Sequence, residues 1–138
     1  MQTILVPVSV GELADKVSIL QIKSERIDDA GKLEHIRLEL EGLLPLWQAE
    51  LAKDPGQLEP VYAELKAANE RMWEVQDALR AREAAQTFDA EFIELARAVA
   101  ARNGERIAAK NRINQLAGSQ FVEEKQYQAH DGTGNAQG

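Results

Sequence analysis

Between Phe92 and Asn114 a single helical face changes its chemistry. At about 100° per residue, Phe92, Ala96, Val99, Asn103, Arg106, Lys110 and Asn114 share that face. The first three suit a core and the last four do not. The expected first helix repeats the pattern. Leu13, Val17, Ile19, Leu20 and Ile27 form an apolar arc, yet Glu12, Lys16 and Lys23 project within it and Arg26 flanks its edge. Asn69 and Gln76, with Arg80 beside them, add polar groups to a third apolar seam. An unpaired buried charge costs several kcal/mol, so these groups must be paired, solvated or facing a ligand.

Two arrangements meet that demand. In the first, the charges satisfy one another. Glu12 and Lys16 have the favourable i,i+4 order, Glu25, Glu74 or Asp77 can meet the arginines, and long stems can carry charged heads out to water. This is the default, because buried ion networks are commonly structural. In the second, Lys16, Lys23, Arg26, Asn103, Arg106, Lys110 and Asn114 line an anion site between the first and fourth helices, with Glu12 and Asp15 as supporting carboxylates. Recognition of a carboxylate or phosphate needs such cations, with amides to orient it.

Other chemistries have less support. The chain has 138 residues, the size of one domain, and no cysteine, so disulfides, thiolate metal sites and a cysteine nucleophile are excluded. His35 and His130 are the two histidines; His35 lies on a polar helix face beside Glu34 and reads as solvated. No glycine-rich phosphate loop, zinc-binding helix motif or nucleophile elbow is present, and neither a metal nor a cofactor is expected. The net charge of −7 argues against nucleic-acid binding, although Arg97, Arg102, Arg106, Lys110 and Arg112 stand against only Glu105 between residues 97 and 117. No apolar run approaches the ~20 residues of a membrane span, and the start of the chain lacks the basic region of a signal peptide. Cytoplasmic location without membrane insertion is the expectation.

The elements that must position these side chains read as an all-α bundle of antiparallel helical hairpins, about four helices in all. A short extended segment at 3–8 precedes them, with Pro7 barring a central strand. Ser9 and Glu12 form a capping box for a helix reaching about Ile27. A second helix spans about Lys32 to Lys53 on the stripe Leu33, Ile36, Leu40, Leu43, Leu44, Trp47 and Leu51, with a bend or break expected at Gly42 and Pro45. Asp54-Pro55-Gly56 reads as a turn. A third helix follows from about Leu58 to Ala85, on the heptad-like seam Leu58, Val61, Leu65, Ala68, Met72, Val75 and Leu79. Thr87 or Asp89 caps the fourth helix and Gly118 ends it. The expected domain is 1–127, followed by a disordered tail at 128–138 rich in Gly, Gln and Asn.

Three blocks carry a resemblance: the run Pro7 to Ile27 (PVSVGELADKVSILQIKSERI), Phe88 to Arg97 (FDAEFIELAR) and Glu123 to Tyr127 (EEKQY). The chain resembles a family of short bacterial helical proteins forming a domain of unknown function, from about residue 4 to 127. The resemblance implies an accessory role in surface-glycan (lipopolysaccharide) metabolism. It places Glu12, Asp15, Lys16, Lys23, Arg26, Arg97, Asn103, Arg106 and Asn114 on the family pattern, while Gly104 departs from it where an acidic residue is expected. A fainter similarity is to the helical chorismate mutases, which hold a dicarboxylate among Arg and Lys side chains and act by electrostatic stabilisation. The leading expectation is a non-catalytic binding or interaction module, with a protein partner or a second copy of itself. The alternative is a binder or metal-independent enzyme of a small anionic metabolite.

Overall fold

The computed structural model describes residues 2–119 and 123–124. Four helices follow in order: α1 (Val10–Arg26), α2 (Ala30–Leu51), α3 (Pro55–Ala84) and α4 (Ala90–Ala117). Among the described residues there is no strand; residues 3–8 run extended, with Ile4, Leu5, Val6 and Val8 exposed. The expected tail at 128–138, and any pairing of 3–8 with 121–122, lie outside the described residues.

Local chemistry accounts for the helix ends. Ser9 Oγ accepts from the Glu12 amide at 3.0 Å, one half of the expected capping box. Among the described residues the Glu12 carboxylate makes no return bond and is committed elsewhere, as shown below. Asp29 caps α2 through the Lys32 amide at 2.8 Å, starting that helix two residues earlier than expected. Pro55 opens α3 instead of lying in a turn, because its missing N–H is harmless in a first helical turn and its fixed φ suits it. Pro45 sits inside α2, which continues through it as one helix. Asp89, not Thr87, caps α4 through the Phe92 amide at 3.0 Å. Gly118 closes α4 in the left-handed conformation, φ 68°, and the Ser119 amide returns to the Asn114 carbonyl at 2.9 Å. Glycine adopts that φ without a Cβ penalty.

The core sits at one end of the molecule. Ala14 and Val17 of α1, Trp47 of α2, Leu58, Val61 and Leu65 of α3, and Ala109 and Ile113 of α4 pack together, flanked by Leu13, Leu40, Leu43, Leu44 and Leu51. Trp47 meets Tyr62 with ring centroids 5.0 Å apart, and the Tyr62 hydroxyl donates to Gln21 Oε1 at 2.5 Å. α2 packs chiefly against α1 and meets α3 mainly through Trp47. α3 and α4 run antiparallel along their length, as the pairs Glu64–Arg112, Arg71–Glu105 and Arg82–Glu91 show.

Helix length divides the structure. α1 and α2 have 17 and 22 residues, against 30 and 28 for α3 and α4. The buried residues of α3 fall between Leu58 and Asn69, and those of α4 between Ile107 and Asn114. Beyond them, 70–84 and 90–106 form a two-helix arm in which no side chain is fully buried.

One glycine sets the α1–α4 distance. A Cβ on Gly11 would collide with the Lys110 backbone carbonyl oxygen and lie 2.9 Å from Asn114 Oδ1. The Gly11 amide donates to that same Oδ1 at 2.7 Å. Glycine to alanine inside a helix ordinarily gains up to about 1 kcal/mol, and Gly42, with open space around it, should follow that rule. Gly11→Ala should reverse the sign and lose about 1–3 kcal/mol through overpacking against backbone. Urea denaturation of the two variants beside the wild type measures both effects.

Candidate functional site

The close approach at Gly11 brings the first turns of α1 against the last turns of α4, and the polar groups of both helices meet there. Asp15 is at the centre, its side chain 2% exposed. Arg106 grips it with two parallel bonds, Nε to Oδ1 at 2.9 Å and Nη2 to Oδ2 at 2.5 Å. Asn69 of α3 donates to Asp15 Oδ1 at 2.9 Å and to Ser18 Oγ at 2.8 Å. The Ser18 hydroxyl in turn donates to the Asp15 carbonyl at 2.8 Å. Three helices are thereby joined on one carboxylate.

Lys110 extends the cluster. Its side chain is 3% exposed, and Nζ lies 2.7 Å from Glu12 Oε2, 2.6 Å from Glu123 Oε2 and 3.9 Å from Asp15 Oδ2. Glu123 is held in place by the Asn111 side chain, which donates to its carbonyl at 2.9 Å and accepts from its amide at 3.0 Å. Glu123 therefore stands beside α4, level with Asn111 and Lys110. Among the described residues, no buried side-chain nitrogen or oxygen lacks a partner.

The protonation states follow from these contacts. Burial pushes the Asp15 carboxyl up, but the Arg106 and Asn69 hydrogen bonds and the Arg106 and Lys110 charges outweigh it and hold it below its ordinary range. The hydrogen bonds that Arg106 donates to Asp15 raise the guanidinium further despite burial. Burial pulls Lys110 down, yet bonds to Glu12 and Glu123 with the Asp15 charge leave it raised. Asp15, Arg106 and Lys110 are thus ionised at neutral pH. Counted formally, three carboxylates (Glu12, Asp15 and Glu123) face two cations, Arg106 and Lys110, a net charge of −1.

The sequence-derived candidates divide sharply. Arg106, Lys110 and Asn114 come together with Glu12 and Asp15 at the α1–α4 contact. Lys16 does not join them; it pairs with Glu39 of α2 at 2.8 Å in solvent, so the expected Glu12–Lys16 pair is replaced by two pairs to other helices. Arg26 lies at the far end of α1 against Glu74 and Glu70, at 3.4 and 3.8 Å. Lys23 is half-buried and makes no ion pair among the described residues. Asn103 is half-buried at a groove edge. Of the arginine partners anticipated, Glu74 meets Arg26 and Asp77 meets Arg80, while Glu25 takes Lys66 instead. Gly11, Ser18, Asn111 and Glu123 were not singled out as site residues. Ser18 inside an apolar arc, and a glycine in the first turn of a helix, were the available signals.

The α4 face from Phe92 to Asn114 is inverted in space relative to its sequence pattern. Its polar end, Lys110 and Asn114, is buried, whereas Phe92, Ala96 and Val99 sit on the uncovered arm. A trough runs along that arm. At its base a cavity of about 150 Å³ is lined by Ile19, Ile22, Met72, Trp73 and Arg106. It continues past Gln76, Val99 and Asn103 to Leu79, Arg80, Glu83 and Phe92 at the tip. Among the described residues no set of His, Asp or Glu side chains is arranged to hold a metal ion, and no helix is long and apolar enough to cross a membrane.

A family model covers residues 4–136. The chain belongs to DUF6165, a family of unknown function. No curated protein and no solved structure matches it. Membership in DUF6165 bears out the resemblance drawn from the three sequence blocks, and it assigns no chemistry to the Asp15 cluster.

Removing Asp15 should therefore be read first as a test of structure. Asp15→Ala leaves Arg106 and Lys110 short of their buried partner and should cost about 3–5 kcal/mol, measured by urea denaturation at pH 7. The pH profile has a defined sign. Because the folded state lowers the Asp15 pKa, its contribution is complete above the ordinary carboxylate value of about 3.9 and disappears as pH falls through the lower folded value. Lys110 has the opposite sense, contributing below about 10.4 and losing its contribution as pH rises through its raised folded value. The urea midpoint should be flat near neutrality and drop at both extremes, and Asp15→Ala should flatten the acid limb.

Proposed function

We propose that this chain is a non-catalytic helical interaction module whose working surface is the α3–α4 arm. The observation that carries the reading is the pairing of an apolar seam with missing cover. Leu79, Phe92, Ala96 and Val99 line a stretch of the trough walled by α3 and α4 alone among the described residues. Ile93 and Phe88 at the tip are 57% and 53% exposed. On the trough side, residues Phe92 to Arg106 of α4 extend about 21 Å at 1.5 Å per residue, the length of four helical turns. Such a surface fits the apolar face of an amphipathic helix. The charged cluster, by contrast, is compensated internally, and an incoming anion would have to displace Glu12 or Glu123 from Lys110. On the family resemblance, the setting is the bacterial cytoplasm and the partners are proteins of surface-glycan assembly.

A second reading has one observation in its favour. Arg106, still 30% exposed, lines the base cavity together with Asn69 and Gln76. A small dicarboxylate or phosphosugar could meet the outward side of its guanidinium there, an arrangement analogous to the helical chorismate mutases.

Two measurements separate these readings. Tagged protein expressed in its native host should capture the same partner as wild type when Ala98, on the opposite face of the arm, is changed to Glu, and should lose it with Val99→Glu. Equal capture by both variants counts against the arm as the working surface. A thermal shift with dicarboxylates, phosphosugars and nucleotides should show no stabilisation. A rise in melting temperature that Gln76→Ala removes would instead favour the metabolite reading.

A further inference from the structure

The trough is self-complementary, and we infer that its occupant is a second copy of this chain, with two α3–α4 arms packed about a two-fold axis to form a four-helix bundle. This rests on the reading of the arm as an interaction surface and names the partner. At the base of the molecule α3 and α4 are covered by α1, with α2 behind it. The same pair of helices, with the same seam, then continues for half its length uncovered. A second arm supplies the missing pair of helices with matching length and the same spacing of apolar residues.

The two ends of the trough differ in a way that suits this arrangement. The tip presents aromatic rings: Phe88 and Phe92 stand edge-to-face with centroids 5.2 Å apart, and Phe88 projects into solvent. The base presents a hollow of about 150 Å³ whose apolar wall is Ile19, Ile22, Met72 and Trp73 and whose remaining lining is Asn69, Gln76 and Arg106. A void of this order admits a single aromatic ring. A two-fold axis near Val99, midway between Phe92 and Arg106, places the tip of each arm over the base of the other. Both rings then meet both holes in one isologous contact. Buried aromatic anchors of this kind carry most of the energy of an interface.

Charge points the same way. A chain of net charge −7 repels its copy overall, so a contact between copies must avoid the acidic surface. The trough edges carry Arg80 and Arg106 against Glu83. The two-fold arrangement sets Glu83 at each tip beside the exposed side of the partner's Arg106.

Light scattering on the purified full chain between about 5 and 200 µM tests the inference. The expected result is a species of twice the 15.3 kDa chain mass, with Phe88→Ala weakening association at least tenfold, Val99→Glu giving a monomer and Ala98→Glu remaining dimeric. Because the chain has no cysteine, Val99→Cys provides a geometric check: oxidation should link it efficiently into a covalent dimer, and Ala98→Cys should not link. Circular dichroism verifies that each variant is folded. If Val99→Glu unfolds, the Phe88→Ala and cysteine variants still decide. A wild type that is monomeric throughout, or cysteine linking that is equal on both faces, overturns self-association. Wild-type monomer combined with partner capture sensitive to Val99→Glu would leave the arm as an interaction surface for another protein, whereas loss of both results removes the arm reading altogether.

Discussion

An ionised carboxylate in an apolar interior is tolerated only when every partner is in place, and Asp15 imposes that condition on three helices at once. Arg106 comes from α4 and Asn69 from α3, and Asn69 is itself held by the Ser18 hydroxyl of α1. The geometry is achievable only because Gly11 lets the α4 backbone approach within contact of α1. Hydrophobic packing of Val17, Leu65 and Ile113 supplies the bulk of cohesion nearby, but apolar contacts are non-directional. The fork of hydrogen bonds around Asp15 fixes which turns of the helices face one another.

Much of this was visible in the residues themselves, and what was missed has a common cause. Helix number, order and most ends followed from local chemistry: Ser9 and Asp89 as caps, Gly118 as terminator. The α1 and α4 polar groups were recognised as anomalous, and Arg106, Lys110 and Asn114 do converge with Glu12 and Asp15. Lys16 and Arg26 were grouped with them by helical periodicity alone. Periodicity fixes the direction a side chain takes from its own axis, not which neighbour stands opposite, and here α2 and α3 take those two cations. The inverted burial along α4 has the same origin. A single-helix pattern cannot reveal that α1 and α2 stop short, leaving Phe92 to Val99 uncovered while Lys110 is enclosed.

That inversion separates two tasks along one helix. The charged half of α4 locks the body of the bundle, with its cations already compensated. The apolar half stands on an arm whose seam would be an aggregation hazard unless something covers it. Strong charges elsewhere on the arm, such as Arg82 with Asp89 and Glu91, keep its outer face polar and confine the sticky region to one side. A locked body at one end and an uncovered seam at the other are what the proposed interaction module requires.

The placement of Glu123 beside α4 has a consequence for electrostatics. Glu123 supplies one of the three carboxylates around Lys110, and it is placed there by two bonds from Asn111 rather than by helix geometry. Without the Glu123 carboxylate the cluster would hold two cations against two carboxylates, with one side of the Lys110 ammonium left unpaired. Glu123 is thus a built-in counter-ion for a lysine that the four helices by themselves would leave facing only Glu12 and Asp15.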